Sequence, residues 1–154
     1  MPGDPQVIAY LGQVLVQVFT AAHQHLLHSR MFRAWGLAKL AQYEHNESLG
    51  AMKYADKLIG RILFLEALPD VQQLGRVYAG ENVSEVLKCD LQLSAQVHPV
   101  LKQAIAHCET AGDIATRELF EDIMENQAEH REWIEAQLGL IERTGLHRYQ
   151  QSQI

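Results

Sequence analysis

The sequence predicts an all-α protein: a four-helix bundle with one long crossover and a short fifth helix at its C-terminal end. Apolar residues recur with a period near 3.6 along most of the chain, and alternating strand patterns are absent. Only 4 prolines interrupt the 154 residues. One stretch of roughly 16 residues without helical periodicity lies near the middle, and it is long enough to run the full length of a bundle.

The first helix is predicted from Asp4 to about Ala34. Asp4 is a suitable N-cap, and Pro5 fits the first helical position because that N–H needs no helical partner. The Trp35–Gly36 pair then predicts a turn. The apolar stripe of this helix comprises Ile8, Leu11, Leu15, Val18 or Phe19, Ala22 and Leu26.

The second helix is predicted from about Leu37 to Leu65, followed by the irregular crossover. A third helix runs from about Ser84 to near Cys108, and Pro99 is expected to kink it. The fourth helix runs from about residue 114 to 143, after a turn with an N-cap at 111–113. Glycine at 145 suits the end of this helix, and a short polar tail forms the last helical turn. We expect residues 1–154 to form a single domain.

The composition and charge of the chain argue against several classes of function. Hydrophobic residues make up 47% and charged residues 21%, which is typical of a globular domain. The net charge of −6 comes without a basic stripe, which argues against nucleic acid as a partner. We expect no membrane span, because no apolar run approaches about 20 residues. We expect no signal peptide, because the start of the sequence lacks a basic segment followed by an apolar one. Cys89 and Cys108 are expected to be free thiols in a reducing cytoplasm.

Several segments resemble bacterioferritin, a haem-binding family with the ferritin-like fold. The resemblance covers essentially the whole chain. The matching segments are GDPQVIAYL (3–11), LHSRMF (27–32), WGL (35–37), MKYADKLI (52–59), RILFLE (61–66), GENV (80–83), CDL (89–91), AIAHCE (104–109) and GLHRYQQSQI (145–154).

The resemblance implies an iron-storage shell of twenty-four subunits. It further implies b-type haem at the two-fold interfaces, a ferric mineral in the cavity and a small ferredoxin-like electron donor. Members of the family are also ferroxidases, which oxidise Fe²⁺ at a di-iron site within each bundle.

A di-iron site requires carboxylates, because anionic oxygens bridge and neutralise two closely spaced irons. Ferritin-like sites take one Glu from each of two helices and a Glu-x-x-His pair from each of the others. Between Pro5 and Tyr43 the chain has no acidic residue. We therefore expect no intact di-iron site and no catalytic residue. The residues at the six family positions are Val18, Ala51, Tyr54, Ser94, Gln127 and His130.

His130 is the one match among those positions, and it has two interpretations. The first is a polar remnant bonded to neighbouring groups, with neutral side chains around it. The second is an adventitious Zn²⁺ or Cu²⁺ site shared with His25, which lies two turns beyond Val18 on the same stripe.

Met52 is the expected axial ligand of the haem. It follows Ala51 in sequence but lies about 100° round the helix, so it faces a different surface. In the family, the thioether at this position binds haem iron, and a two-fold axis supplies a second copy. Without the resemblance, Met52 would be taken as a flexible interface hydrophobe. The resemblance places these further residues near the porphyrin: Phe19, Ala22, His23, Leu26, Leu49 and Lys53.

His23 departs from the family pattern. Its side chain could hydrogen-bond near the porphyrin, or it could compete with Met52 as a ligand.

These expectations combine into one leading function and two rivals. The leading function is an iron-storage subunit that holds haem for electron entry and co-assembles with a ferroxidase-active bacterioferritin subunit. This chain alone is expected to be inactive. One rival is a ferroxidase that uses non-standard ligands, and the other is a haem electron-transfer bundle without storage.

Overall fold

A computed structural model describes residues 2–154, and that part of the chain contains helices and no strand. The predicted all-α architecture is confirmed, with a short helix after the four long ones. The helices are α1 (Pro5–Ala34), α2 (Ala38–Phe64), α3 (Val83–Ala111), α4 (Ile114–Thr144) and α5 (Leu146–Ser152).

Capping residues set the helix starts as the sequence predicts. The Asp4 carboxylate accepts hydrogen bonds from the backbone N–H groups of Gln6 and Val7, at 2.8 and 3.2 Å. These bonds satisfy donors that have no partner within the helix. The Asp113 carboxylate caps α4 in the same way, accepting from the Thr116 N–H at 3.0 Å.

The third helix is longer than predicted. It begins at Val83, because the Asn82 side chain caps it by accepting from the Glu85 N–H at 3.0 Å. It ends at Ala111 instead of near Cys108, because the left-handed backbone that stops it lies at Gly112, with φ 73°. The helix continues through Pro99.

Two apolar clusters form the core, one toward each end of the bundle. The larger one packs Leu11, Leu15, Leu58, Leu101 and Phe120 against one another. The members of the other cluster include Phe32, Leu40, Leu87, Ile134 and Tyr149. Between them lies a layer rich in buried polar side chains, and this polar layer contains Gln24, His25, His28, Ser29, Glu44, Ser48, Asp90, Ser94 and His130.

The crossover between α2 and α3 lies against α1. The Gly75 N–H donates to the Thr20 hydroxyl at 2.8 Å, and the Tyr78 N–H donates to the Gln24 side-chain oxygen at 3.0 Å. Gly80 approaches α3 so closely that an added Cβ would lie 2.3 Å from the Val86 nitrogen. The crossover is therefore tied to the polar layer.

By length and composition alone, α1 is apolar enough to cross a membrane, which the sequence analysis did not expect. A single helix of this kind is weak evidence, since core helices pass the same test. Leu11 and Leu15 of α1 are buried in the core, and Gln24 and His28 are buried in polar contacts. This arrangement is typical of a core helix.

Candidate functional site

The polar layer contains a compact cluster of two histidines and two carboxylates. His25 and His28 come from α1, Glu44 from α2 and Asp90 from α3, and all four are at most 5% exposed. The i,i+3 spacing of the histidines places both rings on one face of α1. Burial of four titratable groups at one level requires them to compensate one another.

Short contacts pair the four groups in a ring. The Nδ1 atom of His25 lies 3.0 Å from Glu44 Oε1, and that of His28 lies 2.9 Å from Asp90 Oδ1. The cross contacts are slightly longer, at 3.7 Å for His25 with Asp90 and 3.6 Å for His28 with Glu44. Gln24 completes the cluster by donating to Asp90 Oδ1 at 3.0 Å.

The carboxylates control the protonation of the histidines. Burial by itself would lower the pKa of His25 and of His28, but Asp90 and Glu44 raise both pKa values to about 9. Burial would likewise raise the pKa of Asp90, yet the two imidazolium charges hold it well below its usual range. Burial and the Asp90 charge raise the pKa of Glu44. The cluster is thus an internal ion-pair network that links three helices.

The six family positions lie beside this network, around two small adjoining cavities. The cavity volumes are about 10 and 20 Å³, and Val18, His25, Gln127 and His130 line both of them. Ser94 lines the smaller cavity, whereas Ala51 and Tyr54 line the larger. The fold therefore brings these positions together, but they contribute one imidazole and no carboxylate.

The expectation that His130 has neutral neighbours is wrong. Its Nδ1 lies 2.6 Å from the Tyr43 hydroxyl and 3.7 Å from Glu47 Oε2, and its ring meets His25 edge-on at 5.0 Å. The charged neighbours come from helix positions one turn or more away from the six that the resemblance singled out. Burial and the His25 charge lower the pKa of His130 to about 3, so its imidazole is neutral.

Tyr43 fixes the orientation of His130. Its ring stacks on Trp133 with the centroids 3.4 Å apart and the planes within 9°. Burial and the nearby Glu47 and Glu44 carboxylates raise the pKa of Tyr43, which keeps its hydroxyl protonated. A neutral hydroxyl can donate to or accept from His130 Nδ1, depending on the imidazole tautomer.

Sequence reasoning missed Glu44, Glu47 and Asp90, although the sequence held a signal for two of them. Glu44 lies on the buried stripe of α2 with Leu40, and Asp90 lies on that of α3 with Leu87. An acid on an otherwise apolar stripe is buried by the periodicity and must have a partner. Glu47 carries no such signal because it lies at the edge of the stripe and is half-buried.

Three of the residues expected near haem lie on an exposed face of α1 and α2. Leu26, Leu49 and Met52 are 47–50% exposed. The two helices are joined at this level, because the Ser48 hydroxyl donates to the Ala22 carbonyl at 2.8 Å.

The other four residues expected at the porphyrin differ in exposure. Lys53 and His23 are exposed, Phe19 is half-buried and Ala22 is buried. The Nδ1 atom of His23 donates to the Phe19 carbonyl at 2.7 Å, which leaves Nε2 directed away from its own helix. An exposed thioether among exposed apolar groups suits a flat, apolar ligand shared between two subunits.

Comparison with known proteins defines the class of this chain. The model of the ferritin-like domain family matches residues 8–144. Together with the four long helices and the crossover, this match defines a ferritin-like protein.

The relatives of the chain identify its family within this class. The chain is 41% identical to a bacterial ferritin of Synechocystis, covering 100% of this chain and 99% of that relative. It is 38% identical to a bacterial ferritin of Pseudomonas aeruginosa, with 100% of both chains covered. It is 36% identical to the bacterioferritin of Brucella melitensis, covering 98% of this chain and 94% of the relative. The chain belongs to the bacterioferritin family, as the resemblance predicted.

Proposed function

We propose that this chain is an iron-storage subunit of a bacterioferritin shell, with haem held at a two-fold interface between subunits. The observation that carries the proposal is the exposed face around Met52, on a chain that matches bacterioferritins along its whole length. The face would be costly to leave in water, because it places several large apolar side chains together. A second subunit and a porphyrin would cover it.

Met52 and its exposed neighbours would hold the haem. The Met52 thioether is a soft donor that suits haem iron, and haem supplies one-electron transfer when bound. Leu26 and Leu49 would exclude water from the porphyrin faces, which favours reduced iron. Lys53 would remain at the polar edge, where its charge can stay hydrated.

We further propose that the di-iron site is degenerate. Val18, Ala51 and Gln127 occupy positions that would have to supply carboxylates, and none can neutralise a pair of irons. A shell of this chain would then store iron that another subunit oxidises. The companion in this proposal is a bacterioferritin subunit with a complete ligand set, and a small ferredoxin-like protein would supply electrons for release.

A second candidate is a ferroxidase with non-standard ligands. It is favoured by the charged groups that surround His130, notably Glu47 and His25. It is disfavoured because two other nearby carboxylates, Glu44 and Asp90, are already paired with the two histidines of α1.

We infer a cytoplasmic location for the protein. The inference agrees with the packing of α1 as a core helix of the bundle.

Substitution of Met52 by leucine tests the haem site. We expect haem content to fall from one per two subunits to near zero, because leucine keeps the apolar volume and removes the sulfur ligand. The measurement is the visible absorption of the purified particle after haem reconstitution.

Met124→Leu provides the matched control, since that methionine packs against the apolar core and lies away from the exposed face. Retention of the same low-spin spectrum in Met52→Leu would contradict the assignment and direct attention to His23.

A further inference from the structure

Three helices bring potential metal ligands together beside the cavities. His25 comes from α1, Glu47 from α2 and His130 from α4, and one ligand atom of each lies within 4.8 Å of the other two. The histidines are 5% and 4% exposed, and Glu47 is half-buried. Of these three residues, only His130 occupies one of the six di-iron positions.

Each imidazole already has one nitrogen bonded, which leaves the other for a metal. His25 Nδ1 donates to Glu44 Oε1 at 3.0 Å, and His130 Nδ1 lies 2.6 Å from the Tyr43 hydroxyl. His130 Nε2 is buried and has no hydrogen-bond partner among the described residues. Glu47 Oε2 lies 3.7 Å from His130 Nδ1, so the Glu47 side chain has to rotate toward Nε2 to share an ion with it. Histidine ligands of protein metals commonly have their second nitrogen bonded to a carboxylate or another polar group, which fixes the ring.

The donor set and the space available favour one metal over others. Two imidazole nitrogens and one carboxylate oxygen are a ligand set that Zn²⁺ uses in proteins. The larger cavity, of about 20 Å³, has room for about one water, which would complete a tetrahedron. Magnesium keeps several waters in an octahedral site, so it would not fit.

Tetrahedral geometry requires a modest adjustment. Bonds near 2.0–2.2 Å place neighbouring ligand atoms roughly 3.3 Å apart. The three donors would therefore have to approach by up to about 1.5 Å. Glu47 can supply most of this movement, because its side chain is only half-buried and rotates about several bonds.

We propose that His25, Glu47 and His130 bind a single Zn²⁺-type divalent ion inside the bundle, with one water as the fourth ligand. Glu47 supplies the carboxylate ligand, whereas Glu44 and Asp90 contact the Nδ1 side of His25 and hold its ring in place. The site joins α1, α2 and α4, so a bound ion stabilises the bundle. This inference goes beyond the storage function and does not depend on haem.

Titration of the metal-free, haem-free particle with Co²⁺ tests the site, because four-coordinate cobalt absorbs strongly in the visible region. We expect one Co²⁺ per chain with the intense four-coordinate spectrum, displaced by one equivalent of Zn²⁺. Zn²⁺ should also raise the thermal midpoint, because it binds only the folded bundle.

Glu47→Gln is the discriminating variant. It keeps the shape of the side chain, so circular dichroism should show an unchanged fold, whereas the affinity for Co²⁺ should fall at least about tenfold. His45→Gln is the matched control: this exposed histidine lies on the same helix and should leave binding unchanged.

Equal Co²⁺ spectra and affinities in Glu47→Gln and the unmodified protein would overturn the proposal, as would a weak six-coordinate spectrum in the unmodified protein. Met52→Leu should bind Co²⁺ normally, so failure of this site and failure of the haem assignment are distinguishable.

Discussion

At the scale of single residues, the ion-pair network is the most consequential feature of the interior. His28 and Asp90 are fully buried, and the carboxylate accepts from both His28 and Gln24. A buried ion pair of this kind contributes modestly to the free energy of unfolding while it is intact, because both ions lose hydration. Removal of one member destabilises the fold strongly, because the remaining buried charge has no compensation.

Asp90→Asn should therefore destabilise the protein by about 3–5 kcal/mol. The amide can still accept a hydrogen bond, but it cannot balance the imidazolium charge of His28. The measurement is the thermal midpoint by scanning calorimetry at neutral pH. Asp56→Asn, at an exposed position of α2, should leave the midpoint nearly unchanged. Similar midpoints for the two variants would show that the network is not under this electrostatic constraint.

At the scale of helices, the start of α4 is joined to the end of α2 by Arg61. Its guanidinium donates to Asp113 Oδ1 at 2.9 Å and to the Thr116 hydroxyl at 2.8 Å. Burial would raise the pKa of Asp113, but bonds from Thr116 and the Arg61 charge hold it below its usual 3.8. The same carboxylate thus caps α4 and connects it to α2.

Asp113→Asn should alter the pH dependence of stability. A carboxyl whose pKa is lowered on folding stabilises the protein above its unfolded pKa of about 3.9, and that contribution disappears as pH falls through the folded pKa. Asparagine also caps helices well, so the Thr116 N–H should keep its acceptor, and the variant should lose the charge and the Oδ2 acceptor of the Thr116 hydroxyl. We expect a cost of about 0.5–1 kcal/mol at neutral pH that vanishes in acid.

The measurement is the thermal midpoint of both proteins from neutral pH into the acid range. Curves that remain parallel down to the lowest pH would contradict the role assigned to the Asp113 charge.

At the scale of the whole molecule, the six positions that the resemblance assigns to a di-iron site lie on the bundle axis, whereas the candidate haem face lies outside. Val18 and Ser94 are buried beside the cavities, and Met52 is exposed. Changes on the axis leave an outer contact undisturbed. Close relatives can share an interface when their surface patches match, so mixed shells are feasible.

Particles of this chain alone should show no rapid oxidation at two Fe²⁺ per subunit, because the six di-iron positions supply no carboxylate. Co-expression with a bacterioferritin subunit that has all four carboxylates and both histidines should give mixed particles. Their initial oxidation rate should rise in proportion to the active subunit, measured by stopped-flow absorbance with composition from native mass spectrometry. Rapid oxidation by the homogeneous particle would instead favour the ferroxidase alternative.

Local signals in the sequence determined where most of the helices begin and end. Asp4 with Pro5, Asp113 and Gly145 mark helix ends through bonds to adjacent backbone, so their effects need no distant partner. Position-by-position resemblance also identified which six residues meet at the cavities. The end of α3 was missed by about one turn, since several residues near it could stop a helix, and the left-handed backbone that does so lies at Gly112.

Only the tertiary structure decided what surrounds His130. Glu47 is 83 positions from His130 in the chain, and Glu44 is 19 positions from His25, so helix packing alone brings their charges together. Side-chain charge is a property of the sequence, but compensation between buried charges depends on distances set by how helices pack. The sequence by itself determined the family and the helices, and it supports the proposal that the di-iron positions lack carboxylates. The packing determined that a buried ion-pair network and the group His25, Glu47 and His130 lie beside the two cavities.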